Sequence, residues 1–154
     1  MWKCYLDSNV LIGYTFAAST FREKSLRLLS SLSPDKCKLC TSPLAIDELL
    51  HSLSFLLRRE GSSASEINKN LRKSLSSILS LPMLSIVNPS TDKEQQLKIL
   101  DFMSEYSLKP RDAYHFLIMK EQGIEYFATF DKDFDKVFQN REIRPIKENR
   151  SYGQ

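Results

Sequence analysis

Residues 108–134 read LKPRDAYHFLIMKEQGIEYFATFDKDF, a helix, a reversal and a strand with an acidic residue at each end. Pro110 suits the first helical position, where its missing N–H is no loss. Ala113, Phe116, Leu117 and Lys120 recur at helical spacing, and Gly123 follows as a C-terminal stop. Ile124 to Phe130 then reads as a buried strand rich in β-branched and aromatic residues. About eleven helical residues advance roughly 17 Å, and about six strand residues return roughly 20 Å. Packed antiparallel, the helix start and the strand end lie side by side. Asp112 and Asp131, nineteen positions apart, are thereby expected at one end of the fold. Two acids in one place repel, and burial raises the pKa of one unless a cation is present. A divalent metal is the usual answer.

Working outward, strands and helices alternate. Trp2 to Leu6 reads as a first strand ended by Asp7, with Ser8 and Asn9 as caps for a helix through VLIGYTFA. Thr20 and Glu23 form a capping-box pattern ahead of a second helix. Lys38 to Thr41 is a second strand, and Ser42-Pro43 starts a helix apolar enough to be largely buried, with Glu48 near its start. GSSAS at 61–65 is a break whose Ser65 can cap a helix along Ile67, Leu71, Leu75, Ile78 and Leu79. The basic residues Lys69, Arg72 and Lys73 of that helix read first as a solvated face. Leu84 to Val87 is a third strand, and Thr91 with Glu94 caps a helix through Leu97, Leu100 and Tyr106. Lys132 to Gln139 is a short turn or helix, and Ile143 to Ile146 a last strand placed at an edge by Pro145. This alternation predicts an α/β fold of three layers with a mostly parallel central sheet, as a single domain over residues 1–154.

Sites in such sheets form outside the carboxyl ends of the strands. Asp7 ends the first strand, Glu48 opens the helix after the second, and Asp112 and Asp131 reach the same edge. All four acids are expected to converge. Asp47 points about 100° away from Glu48 on a helix and is set aside.

The rest of the chain adds limits. A formal charge of +3 permits a polyanionic partner without demanding one. With no apolar run of membrane-spanning length and no signal-like start, a cytoplasmic location is the default expectation. Cys4, Cys37 and Cys40 fit a reducing compartment. The lone CxxC at 37–40 reads as part of a buried strand, since a zinc site needs two further ligands. No Ser/His/Asp set, P-loop or GxGxxG pattern occurs.

YLDSNVLI around Asp7, SPLAIDELLHSL around Glu48, LKPRDAYHFLIMKEQGI around Asp112 and FATFDKDF around Asp131 resemble the PIN-domain nucleases, most closely the VapC-type toxins of toxin–antitoxin pairs. The order and spacing agree over nearly the whole chain. The resemblance implies a metal-dependent endoribonuclease acting on RNA phosphodiester bonds. It makes Asp7 and Asp112 the main Mg²⁺ or Mn²⁺ ligands, with Glu48 and Asp131 completing the cluster, and Asp133 and Asp135 as runners-up for the last role. Thr129 and Asn9 are expected to support the ligands by hydrogen bonds. The family also implies an antitoxin protein as partner and a homodimer. Magnesium takes oxygen ligands and keeps several waters, which suits this residue set.

Lys109, Arg111, Lys132 and Lys136 flank the acids and are candidate contacts to an RNA backbone, or solvated loop charges. His115, three residues after Asp112, reads first as a core histidine, with donation to a phosphate or carboxylate as the alternative. His51 stands in the same relation to Glu48 and is weighed the same way. Three other readings compete: a PIN-like binding module without catalysis, a housekeeping RNA-processing PIN nuclease, and a phosphatase of another α/β family. The last is disfavoured because the first strand ends DSN, without a second aspartate two residues on.

Overall fold

The structure is a computed structural model and describes residues 1–89 and 91–147. The single-domain expectation extends over 148–154, which lie outside these. Five strands, β1 (Trp2–Leu6), β2 (Cys37–Thr41), β3 (Leu84–Ile86), β4 (Tyr126–Ala128) and β5 (Arg144–Pro145), form one sheet in the order β3-β2-β1-β4-β5. Every neighbouring pair is parallel, as the alternation predicts.

The helices are α1 (Ser8–Thr15), α2 (Arg22–Ser30), α3 (Pro43–Arg59), α4 (Ala64–Leu79), α5 (Lys93–Tyr106), α6 (Pro110–Glu121) and α7 (Asp135–Gln139), with a 3-10 turn at Lys132–Phe134. The pleat deals side chains to two cores. Tyr5, Cys40 and Phe127 point into one, with Ile99 and Tyr106 of α5, Phe116 and Leu117 of α6, and Val137 of α7. Cys4, Leu6, Leu39 and Ala128 point into the other, with Val10 and Leu11 of α1, Leu28 of α2, Leu49 of α3 and Ile78 of α4. Helices thus cover both faces, and three layers result. Cys37 and Cys40 fall in opposite cores and are free thiols, so the CxxC spacing builds no common site.

Several expected boundaries move. Asp7, not Ser8 or Asn9, caps α1, accepting from the Ser8 amide. The Thr20–Glu23 box does not form: α2 begins with no side-chain cap, and Glu23 pairs with Arg27 instead. Ser63, not Ser65, caps α4 through a full capping box with Glu66, and Asp92, not Thr91, caps α5. Helix α3 buries one stripe, Ala45, Leu49, Leu53 and Leu57, and leaves Phe55 exposed. Leu97 and Leu100 are likewise exposed, because α5 packs through Ile99, Phe102, Met103 and Tyr106. Strand β4 stops at Ala128 because Thr129 and Phe130 turn away to contact Asp7 and Asn9. β5 is an edge strand; the Arg144 amide donates to the Glu125 carbonyl just before β4 and the Ile146 amide just after β5 donates to Phe127, so Pro145 falls between the two donors. Gly123 ends α6 at φ +59°, a left-handed backbone that favours glycine. Among the described residues no helix is long and apolar enough to cross a membrane.

Gly13 of α1 lies against α2, where an added Cβ would sit 2.0 Å from the Ser25 hydroxyl and 2.9 Å from the Phe21 carbonyl oxygen. Alanine in place of a helical glycine ordinarily stabilises by up to about 1 kcal/mol. Here overlap decides the sign. Gly13→Ala is expected to cost about 1–3 kcal/mol in urea denaturation, and Ser25→Gly in the same chain to recover part of it.

Candidate active site

The carboxyl ends of β1 and β4, adjacent in the sheet, anchor the site. The Asp7 amide donates to the Ala128 carbonyl at 3.0 Å, holding the two strand ends together just where the acids emerge. Asp7 is 6% exposed. Its Oδ1 accepts from the Ser8 amide at 2.7 Å, and its Oδ2 from the Thr129 hydroxyl at 2.5 Å. Thr129 in turn accepts from the Asp131 amide at 3.0 Å and from Asn9 Nδ2 at 3.3 Å, which fills its hydrogen-bonding capacity. Asn9 Oδ1 accepts from the Phe130 amide at 3.3 Å. Of the two residues expected to support the acids by hydrogen bonds, Thr129 bonds Asp7 directly and Asn9 bonds only Thr129 and the Phe130 amide, so together they lock the loop after β4 onto the start of α1.

Glu48, one and a half turns into α3, is half-buried beside Asp7. Its Oε2 accepts from the Ser8 hydroxyl at 3.0 Å and its Oε1 meets His115 Nε2 at 2.9 Å, with Arg111 Nε 3.5 Å away. Pro110 starts α6, which puts Asp112 in the first helical turn and His115 one turn on. Ligand-type atoms of Asp7, Glu48 and His115 lie within 4.8 Å of one another, as do those of Asp112, Asp131 and Asp133. Asp112 feels the charges of Asp131, Asp133 and, most weakly, Asp7, so the two groups are electrostatic neighbours. The structure therefore pairs the four expected acids two by two, Asp7 with Glu48 and Asp112 with Asp131.

The energetics bear the marks of crowding. Burial first, then repulsion from Asp131, lifts the Asp112 carboxyl to about 6, with the nearby His115 opposing. Burial also raises Asp7, against the Thr129 and Ser8 hydrogen bonds. Glu48 is raised by desolvation too, yet the hydrogen bonds from His115 and Ser8, with the charge of Arg111, outweigh it and its net direction is down. An all-oxygen carboxylate set that repels itself, with Asp7 and Asp112 both raised above the ordinary carboxylate range, fits a hard divalent cation.

Other candidates sort cleanly. Asp133 joins the cluster, being placed there by the 3-10 turn that Asp131 caps. Asp135 and Asp47 are exposed and stand outside both acid groups. His51 is exposed and stays on the surface of α3. His115, by contrast, is both buried and bonded to Glu48, so the core and carboxylate-donor readings are one. Lys109 pairs with Asp133 at 2.7 Å and Arg111 approaches Glu48, while Lys136 donates to Ser107 at 2.6 Å and Lys132 is exposed. The sequence reading missed Tyr5 and Ser42, whose hydroxyls lie 2.5 Å apart behind His115. A tyrosine two residues before Asp7, between the apolar Cys4 and Leu6, was the available signal.

The chain is 27% identical over 145 residues to the ribonuclease VapC6 of Methanocaldococcus jannaschii, covering 86% of this chain and 91% of that protein. In fold it is similar to VapC20 of Mycobacterium tuberculosis, a toxin that cleaves the sarcin–ricin loop, with TM-score 0.64 and 18% identity over 87% of this chain and 94% of that one. It is also similar to VapBC2 of Rickettsia felis, solved bound to a DNA fragment from its promoter, with TM-score 0.62 and 15% identity over 93% and 96% of the respective chains. The description of the PIN domain matches residues 4–138, which takes in Asp7, Glu48, Asp112, Asp131, the end of β1 and all of β2, β3 and β4. The chain belongs to the PIN-domain family.

Proposed function

We propose that this protein is a Mg²⁺- or Mn²⁺-dependent endoribonuclease and the toxin of a toxin–antitoxin pair. The observation that carries this reading is the pair of neighbouring acid groups, Asp7 and Glu48 with His115, and Asp112 and Asp131 with Asp133, near the adjoining ends of β1 and β4. The similarity to a ribonuclease and to toxins, one from a toxin–antitoxin complex, supports the substrate class and the antitoxin partner.

Asp7 and Asp112 are the groups to hold the cation, with Glu48 and Asp131 directly or through water, and Asp133 beside Asp131. The cation supplies Lewis acidity to a phosphoryl oxygen and to the attacking water. The chain's own work is preorganisation. Ser8 and Thr129 fix both oxygens of Asp7, and Ser8 and His115 fix both oxygens of Glu48, so neither carboxylate must search for its orientation. Without a cation the pocket repels an RNA backbone. Arg111 and Lys109, at its rim, are placed to meet phosphate once the acids are neutralised.

The test is cleavage of RNA by purified protein with Mn²⁺, with chelator, and by Asp7→Asn. Cleavage that needs the metal and disappears in the variant is the expected result; equal cleavage by Asp7→Asn would remove the assignment. The cation must also compete with protons. Because the Asp112 carboxyl stands near 6, Mn²⁺ affinity measured by calorimetry is expected to fall steadily from pH 7 to pH 5. A flat profile would show that Asp112 is not a ligand.

A further inference from the structure

Behind Glu48 runs a chain of buried polar groups that metal ligation alone does not require. His115 is 2% exposed. Its Nδ1 lies 2.8 Å from the Tyr5 hydroxyl, which lies 2.5 Å from Ser42 Oγ, which accepts from the Ala45 amide at 3.2 Å. The two ends of this chain have fixed polarity: an amide N–H only donates, and a carboxylate only accepts. Between them Ser42, Tyr5 and neutral His115 each carry one mobile hydrogen. One arrangement satisfies every group: Ser42 donates to Tyr5, Tyr5 donates to His115 Nδ1, and His115 Nε2–H donates to Glu48 Oε1. If Tyr5 donated to Ser42 instead, neutral His115 would need its hydrogen on Nδ1 and would have none for Glu48.

We infer that His115 is a positioning residue for Glu48, held as its Nε2–H tautomer by the Ser42–Tyr5 relay. This rests on the nuclease reading above and extends it. The relay also forms a ring, because Ser42 caps the same helix α3 that carries Glu48. Each other member sits beside another acid in sequence: Tyr5 two residues before Asp7 on β1, and His115 three after Asp112 on α6. Four hydrogen bonds therefore set the registry of three acid-bearing elements, β1, α3 and α6, against one another. Outer groups of this kind orient ligands, and their loss typically costs about 10–100-fold in metal affinity.

Three variants test it, read by Mn²⁺ calorimetry on RNA-free protein, by RNA cleavage and by thermal melting. His115→Leu keeps the bulk and removes the donor. His115→Gln places an amide N–H where Nε2 stood and so restores donation to Glu48. Tyr5→Phe keeps the ring and removes the relay. His115→Leu is expected to weaken Mn²⁺ binding by about 10–100-fold and Tyr5→Phe by about 10-fold, with His115→Gln close to wild type. Mn²⁺ binding by His115→Leu equal to wild type, whatever its melting temperature, overturns the inference. So does His115→Gln falling as far as His115→Leu, which would make the imidazole itself a ligand. Wild-type protein that binds Mn²⁺ but leaves RNA intact would sink the nuclease reading alone, since the relay is scored on metal affinity.

Discussion

Asp112→Asn is expected to make the metal-free protein more stable and to stop it cutting RNA. The ionised carboxyl is unfavourable in the fold: burial and Asp131 lift its pKa to about 6 from 3.8. A group whose pKa is raised on folding binds its proton more tightly in the native state. Asp112 therefore contributes stability to the metal-free fold that grows as pH falls from 7 towards 4 and levels off below its unfolded value. Asparagine removes the ionised form, so the melting temperature at pH 7.5 rises by a few degrees and the acid-side gain flattens. The side chain is only half-buried, and solvent screening keeps the gain modest. Cleavage moves the other way. Electrostatic stabilisation by a bound cation is worth several kcal/mol in the transition state, so weakening its hold costs at least about 100-fold in rate. Melting curves at several pH values, beside cleavage assays, check both halves. A variant that melts lower than wild type at pH 7.5 contradicts the crowding account.

The second large effect is expected far from any charge. Phe127 of β4 is fully buried, its ring 5.7 Å from Tyr5, 4.7 Å from Phe134 and 6.4 Å from Phe138. Tyr5 carries the relay to Glu48, and Phe134 backs the turn that presents Asp131 and Asp133. Phe127→Ala leaves a cavity between these elements and is expected to cost about 3–5 kcal/mol, read by urea denaturation. Where the variant remains folded, Mn²⁺ affinity should drop with it, because the rings set the spacing of the two acid groups. Full metal affinity in a variant destabilised by that much would show that the pocket is positioned by the backbone alone.

Much of this arrangement is legible in residue order. Strand and helix alternation, Pro110, Gly123 and the Ser42-Pro43 start all carry local physics that the fold keeps. The edge on which the acids are expected came from two arguments: Asp7 and Asp131 follow parallel strands, whose ends share one edge, while Glu48 and Asp112 open the helices α3 and α6. What sequence periodicity does not fix is which of several adjacent polar residues caps a helix. Ser63 and Ser65 are both competent, and tertiary packing chooses where α4 begins. Exposure of Leu97 and Leu100 escapes the pattern for a related reason: α5 has more apolar residues than its contact with α6 can cover. The Ser42–Tyr5–His115 relay was hidden because it joins side chains 37 and 110 positions apart, each with an adequate local role.

The pairing of β1 with β4 also has a bearing on synthesis. These strands flank the site, yet Asp7 leaves the ribosome more than a hundred residues before Asp112 and Asp131. A nascent chain that has emerged only as far as α5 has α3 and Glu48 in hand but lacks half of the carboxylates and the strand beside β1. On the proposed nuclease reading, cation capture, and with it any cutting of RNA, therefore waits until α6 and β4 have been made.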